Sequence, residues 1–316
     1  MTSNAQQRAD RIAALPFERS TAHEGSSFRG SWKALRDIAS HRELLGLLVR
    51  RELKSRYKDS SLGFVWSLIR PLTMLLIYFV AIGQFLGAAR GIPDFAIFVF
   101  SGLTIWGLYN EIISSGTSSI IGNAGLIKKV YLPREIFPLA ATGSALFNFV
   151  VQMIVLIIAT IVMGAVPAAG NALYALGAVL IVLLFGVALA LLLSALNVYL
   201  RDVQYLVEVG MLILFWASPI VYAWSYVLDA ANRTGLAWLP DVYLLNPMTV
   251  AVLAFQKAMW RAGSETTVIG AAHVPPQPWP ADLDVRVAAT IGVGVIVVLL
   301  CQRAFQRLQG NFAQEI

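Results

Sequence analysis

Groups capable of chemistry are few in this sequence, and the most unusual of them sits inside an apolar run. Glu111 lies among Ile, Leu and Gly. At 100° per residue, Thr104, Gly107, Glu111, Ser114, Ser115, Ser118 and Gly122 fall within a sector of about 100° on one helix. A carboxylate and a row of hydroxyls cannot face lipid cheaply, so the stripe must face other helices or a watery path. Two readings follow: small residues and hydroxyls packing helices together, or Glu111, Ser114 and Ser118 lining a route for a polar substrate. Ser144, Asn148 and Gln152 recur every four residues in a later run, and Gly186, Ala190, Ser194 and Asn197 share a face in the next. These read as interhelical glue. A proton relay would need more titratable groups within the apolar runs.

Other chemistries lack their residues. His23, His41 and His273 are scattered without metal-ligand spacing, and Cys301 is the single cysteine, so no metal site and no internal disulfide is expected. No glycine-rich stretch ends in Lys-Ser or Lys-Thr, and there is no zinc motif, G-x-S-x-G elbow or nucleotide-binding pattern. No catalytic residue and no cofactor is assigned to the chain. If ATP drives it, a separate subunit must hydrolyse that ATP.

The elements that position these groups follow from composition. Of 316 residues, 58% are hydrophobic and 13% charged, about half the charge of an ordinary soluble domain. The apolar residues form six blocks, at roughly 64–87, 95–122, 137–164, 172–198, 204–228 and 286–305, each near the ~20 residues that cross a hydrocarbon core. Pro71 and Pro219 sit in the first and fifth, where a kink is expected. The sequence therefore predicts an all-α integral membrane protein with a six-helix transmembrane domain over 63–306. Residues 1–31 read as a polar cytosolic tail without a signal peptide, and 307–316 as a second tail. Residues 32–62 read as an amphipathic interfacial helix, on which Arg50, Lys54 and Lys58 share a face beside Arg51 and Arg56. A solvated charged helix is the alternative. The net charge of +6 is concentrated here, which suits anionic lipid headgroups rather than nucleic acid.

Orientation comes from the cations. With a cytosolic N-terminus, 19 of the 24 Lys and Arg lie inside, counting those through Arg70, and five lie outside. The asymmetry predicts both termini in the cytosol. The segment 229–285 is then external. Its apolar run from Met248 to Trp260 is too short to span and reads as a re-entrant or interfacial helix. Aromatics gather nearby, at Trp216, Tyr222, Trp224, Tyr226 and Trp238. They form either an interfacial belt or a stacking surface for sugar rings. The connector Asn123–Pro138 is short and charged, carrying Lys128, Lys129, Tyr131, Pro133, Arg134 and Glu135. It is either an ordinary positive-inside loop or a stiff piece through which another subunit could push.

Four stretches, in this order, resemble a known family: Arg51–Lys58 with Leu62–Leu68 and Pro71; Leu126–Pro138; Ser194–Val203; and Phe215–Ile220 with Leu245-Asn246-Pro247. After residue 40 the chain resembles the membrane subunit of type-2 ABC exporters for lipid-linked polysaccharides, such as O-antigen or teichoic acid. The resemblance implies a homodimer paired with two ATPase subunits that hold ATP and Mg, in the bacterial inner membrane. It implies an ATPase-coupling role for the connector, and short gate helices between the fifth and sixth spans. Tyr78, Phe79, Phe85, Trp216, Tyr222 and Trp224 become channel-lining candidates, and Arg50, Arg51, Lys54, Arg56 and Lys58 a receiving site for a lipid diphosphate. The tail Gln309–Glu315 becomes a candidate ATPase contact. The Ala- and Val-rich composition suits a GC-rich organism, for which a cell-wall galactan is one expected cargo. A type-2 permease for drugs or lipids, and a membrane glycosyltransferase or polymerase, are the alternatives.

Overall fold

The computed structural model describes residues 41–57, 65–85, 87, 89, 91–129, 132–269 and 272–315. Helix α1 (Arg42–Tyr57) precedes α2 (Trp66–Tyr78), which continues as a π-helical stretch over Phe79–Phe85. Long helix α3 (Phe95–Gly122) leads into the one-turn α4 (Ala124–Ile127), then α5 (Ile136–Val162), α6 (Ala172–Tyr199) and α7 (Val203–Trp216). Three short helices follow, α8 (Trp224–Thr234), α9 (Leu239–Leu245) and α10 (Pro247–Met259). The antiparallel strands β1 (Thr267–Ile269) and β2 (Ala272–Val274) form a hairpin before α11 (Leu283–Leu308) and the closing turn α12 (Phe312–Glu315). The all-helical expectation therefore lacked one small hairpin.

Among the described residues, four helices are long and apolar enough to cross a membrane: Phe95–Gly122, Ile136–Val162, Ala169–Tyr199 and Leu283–Leu308. The chain is a multi-pass membrane protein on that ground. The expected first and fifth spans are shorter apolar helices, Pro71–Phe85 and Val203–Trp216. The fifth was expected over 204–228 but stops at Trp216. The cause is local: Pro219 disfavours helical geometry at Ser218, and the Ser218 hydroxyl donates to the Leu214 carbonyl (2.9 Å), satisfying one of the final acceptors. At ~1.5 Å per residue this helix is about 21 Å long, short of the ~30 Å hydrocarbon core.

The core lies where α6 packs against α3, α10 and α11. Small residues set that approach. A Cβ on Gly116 would lie 2.5 Å from the Ala190 Cβ, and one on Gly186 would lie 3.1 Å from Ile112. The Asn197 side-chain amide donates across the same seam to the Thr117 carbonyl (3.1 Å). The Gly186–Ala190–Asn197 face thus packs helix on helix. Helix α10 is the most enclosed element, with Val250 through Phe255 fully buried. It starts cleanly because Asn246 caps it: Oδ1 accepts from the Met248 amide (2.9 Å) and Pro247 needs no N–H partner.

That cap also joins two distant sequence stretches. The Asn246 amide donates to the Ser218 hydroxyl (3.0 Å), Gln256 Nε2 donates to the Pro219 carbonyl (3.1 Å), and a Cβ on Gly102 would lie 2.5 Å from the Ile220 carbonyl oxygen. The Ser218–Ile220 turn is held from both sides, so α7 ends at a fixed height in the bundle.

Candidate functional site

A cleft of about 960 Å³ opens between α2, α3, α5 and α7. Its α3 wall presents Leu103, Trp106, Gly107, Asn110, Glu111, Ser114 and Ser115. Helix α5 contributes Asn148 and Gln152; α2 contributes Trp66, Pro71, Met74 and Tyr78; α7 contributes Glu208, Met211, Leu212, Phe215 and Trp216. Each set follows helical spacing of three to five residues, so each helix turns one face inward.

The polar side is organised around Glu111. Asn148 Nδ2 donates to Glu111 Oε1 at 2.7 Å, tying α3 to α5. Gln152 lies beside Gly107, where a Cβ would sit at an ordinary contact distance of 3.5 Å from the amide oxygen. The Ser114 hydroxyl donates weakly to Asn110 Oδ1 (3.4 Å). Thr104, expected on the same stripe, is fully buried and donates to the Phe100 carbonyl (2.7 Å), so it belongs to the core.

The apolar side is aromatic. Phe215 packs edge-on against Trp106 (5.5 Å between centroids) and Trp216 (5.4 Å), and stacks on Tyr78 at 6.0 Å. Trp106 is nearly buried whereas Trp216 is half exposed. A wall of ring faces opposite amides, hydroxyls and carboxylates can hold a molecule with both C–H faces and hydroxyl edges.

Of the nine proposed lining residues, Tyr78, Glu111, Ser114 and Trp216 lie on this cleft. Ser118 lies one turn further along α3 and donates back to the Ser115 carbonyl (3.2 Å). Phe79 packs against Phe95 (6.4 Å), and Phe85 projects at 83% exposure beyond the cleft. Tyr222 donates its hydroxyl to the Trp216 carbonyl (2.9 Å), bracing the end of α7. Trp224 is 2% exposed, in the core rather than on the lining. Sequence reasoning missed Glu208, Trp66 and the amides Asn110, Asn148 and Gln152 as one group. The Glu208–Met211–Leu212–Phe215 spacing in α7 was the available signal.

Below the cleft, α1 lies against α5. Leu48 is buried with Ile136, Phe137 and Ala140, and Val49 fills the space left by Gly143. Arg50, Arg51 and Lys54 are exposed, and Arg51 also donates to Asn123 Oδ1 at the end of α3. Lys58 and the connector's Tyr131 lie outside the described residues, and Arg56 is placed only as a backbone position of α1. In the rest of the connector Lys128 and Lys129 are exposed, Pro133 accepts the Ile136 amide (3.2 Å), and Glu135 is buried at the start of α5. Arg134 turns inward: it donates to the Gln309 carbonyl and its guanidinium lies 5.5 Å over the Phe312 ring. Among the described residues no cluster of three His, Cys, Asp or Glu could hold a metal ion.

Three relatives are similar over most of the chain. One is an O-antigen export system permease protein RfbA of Myxococcus xanthus, 28% identical over 284 residues, which cover 90% of this chain and 99% of the relative. Two proteins of the same name from Klebsiella pneumoniae are 28% and 27% identical, each covering 68% of this chain and 79% of the relative. The sequence profile of a membrane family described as ABC-2 type transporter matches residues 43–260, well over half of the chain. The chain therefore belongs to the ABC-2 type transporter family.

Proposed function

We propose that this chain is the permease of an ATP-driven exporter and that it moves a polysaccharide, carried on polyprenyl diphosphate, from the cytosol across the bacterial inner membrane. One observation carries the reading: a cleft between α3 and α5, both long enough to span, and the shorter α2 and α7 pairs Tyr78, Trp106, Phe215 and Trp216 with Glu111, Asn110, Asn148 and Gln152. Glycans present this combination, since ring C–H faces pack on aromatic planes while hydroxyls pair with amides and carboxylates. An apolar drug or lipid tail would match the ring wall alone and leave the polar wall of Asn110, Glu111, Asn148 and Gln152 unused. The named activity of the relatives, O-antigen export, supports the same class of cargo.

Two copies, each contributing one cleft, would enclose the path, with both termini in the cytosol, a placement the cation asymmetry supports. Exposed Arg50, Arg51 and Lys54, with Arg56 and Lys58, would receive the diphosphate at the cytosolic mouth, close in sequence to Trp66 on the cleft. Two ATPase subunits carrying ATP and Mg would press on the connector at Lys128 and Lys129. Helices α8–α10 would serve as external gate elements, with α10 as the re-entrant one. This permease carries no chemical step; its residues bind, exclude lipid and move.

The test is co-purification with the ATPase subunit, followed by ATP-dependent movement of lipid-linked glycan in inverted vesicles. Glycan accumulation that needs both ATP and this chain is expected. Co-purification without any glycan movement would refute the cargo, and absence of a bound ATPase would refute the exporter.

A further inference from the structure

The segment after the last long helix is polar in sequence, yet Phe312 within it has no exposed surface. Such segments usually stay loose unless contacts tie them down. Here the ring packs edge-on against Tyr199 (6.0 Å) and Phe305 (5.7 Å), in a cluster with Ile120, Leu191 and Ala195. The Tyr199 hydroxyl donates to the Leu308 carbonyl, fixing the end of α6 to the end of α11. Arg134 closes the arrangement from the connector. Its guanidinium covers the Phe312 ring at 5.5 Å and donates to the Gln309 carbonyl. Ile127 of the connector packs on the same cluster.

We infer that Arg134 and Phe312 form a latch tying the connector to the segment after α11, so that Arg134 is a positioning residue for coupling rather than an ATPase contact. The inference rests on the coupling role proposed for the connector. Its physical basis is the direction of the guanidinium. An arginine whose planar fork lies over an aromatic ring and bonds a backbone carbonyl of its own chain is held in that orientation, turned toward the bundle rather than toward a partner protein. Lys128 and Lys129, both exposed, remain for that partner. A push delivered there reaches α6 through Tyr199 and α11 through Phe305 by way of one packed cluster. The connector then moves with the α3–α6–α10–α11 block, while α2 and α7, on the other side of the cleft, are left behind. The latch turns a local shove into relative motion across the cleft.

Hydrogen exchange on the full chain in nanodiscs tests the latch without any ATPase. Phe312→Ala, Arg134→Ala and Arg134→Lys should each raise exchange at the connector amides 126–129 on the order of tenfold. Lysine keeps the charge but cannot reproduce the planar contact. The Arg134→Ala/Phe312→Ala double variant should go no further than the worse single, because the two act as one unit. Unchanged connector exchange in Phe312→Ala, or single effects that multiply in the double, would overturn the latch. If Phe312→Ala does not fold, Phe312→Leu keeps most of the apolar volume, removes the ring and carries the same expectation. With the ATPase subunit added in proteoliposomes, Phe312→Leu should still co-purify with it but lose permease-stimulated hydrolysis by about fivefold or more. Full stimulation would overturn the role. A chain whose connector exchange responds as expected but which recruits no ATPase would instead contradict the proposed exporter.

Discussion

The two sides of the cleft are built differently. On one side α3, α6, α10 and α11 pack closely, and a Cβ on Gly116 or Gly177 would come within 2.7 Å of Ala190 or Val287. On the other side α2 passes into a π-helical stretch, α7 is a turn or two short of a span, and both expose large apolar faces: Leu72, Leu76 and Ile77 on α2, Leu206, Val209 and Ile213 on α7. Close-packed interiors resist small deformation, whereas π-helical stretches are rare and frequent at functional sites. The contrast teaches that motion should be concentrated in the α2–α7 flank, against a block that acts as one body. The exposed faces of that flank are also where a second copy would be seated in the proposed dimer.

Four substitutions break or sharpen this comparison. The largest effect is expected in the block. Gly116→Val places a branched side chain where Ala190 already sits 2.5 Å from a Cβ, and overpacking of this kind costs about 1–3 kcal/mol or more. Detergent-purified protein should show a markedly lower Tm; an unchanged Tm would mean that the block is looser than described. Next, Gln256→Ala removes the donor to the Pro219 carbonyl and frees the turn that ends α7, at a cost of about 1–3 kcal/mol. Proteolysis at Ser218–Ala223 should accelerate while the block stays intact.

On the cleft itself, Glu111→Gln should leave thermal stability within about 1 kcal/mol, because the amide oxygen still accepts from Asn148. Glycan export should nevertheless fall several-fold as the carboxylate is lost. Equal export would remove Glu111 from the path and return it to helix packing. The smallest effect is expected at Glu265→Ala, between α10 and β1. Its i,i+4 pair with Arg261 is half exposed, so stability should change by no more than about 0.5 kcal/mol in a melting experiment.

Much of this was legible in the sequence, for identifiable reasons. Apolar length revealed α3, α5, α6 and α11, because a lipid core demands uninterrupted hydrophobicity. Helical spacing put Gly107, Glu111, Ser114 and Ser115 on one face, and the cleft lies on that face. Three things were not legible. Pro219 reads from the sequence as a kink in a continuing span, and the turn that takes the chain away there is held by Asn246 and Gln256, which lie 28 and 37 residues from Ser218 and Pro219. The burial of Trp224 depends on which way the chain turns after Pro219, and aromatic clustering alone cannot decide between belt, core and lining. Arg134 looks like a surface cation in its loop. Only the fold brings it to Phe312, far along the chain.

In the proposed exporter, sugar would pass along the aromatic and polar face of α7, not along its outer face. A photo-cross-linking residue placed at Trp216 or at Leu206, in the assembled exporter during ATP-driven export, separates the two. Trp216 lines the cleft, whereas Leu206 is 70% exposed on the same helix and does not line it. A glycan adduct is expected at position 216 and none at 206. Adducts at both positions alike, or at 206 only, would contradict it.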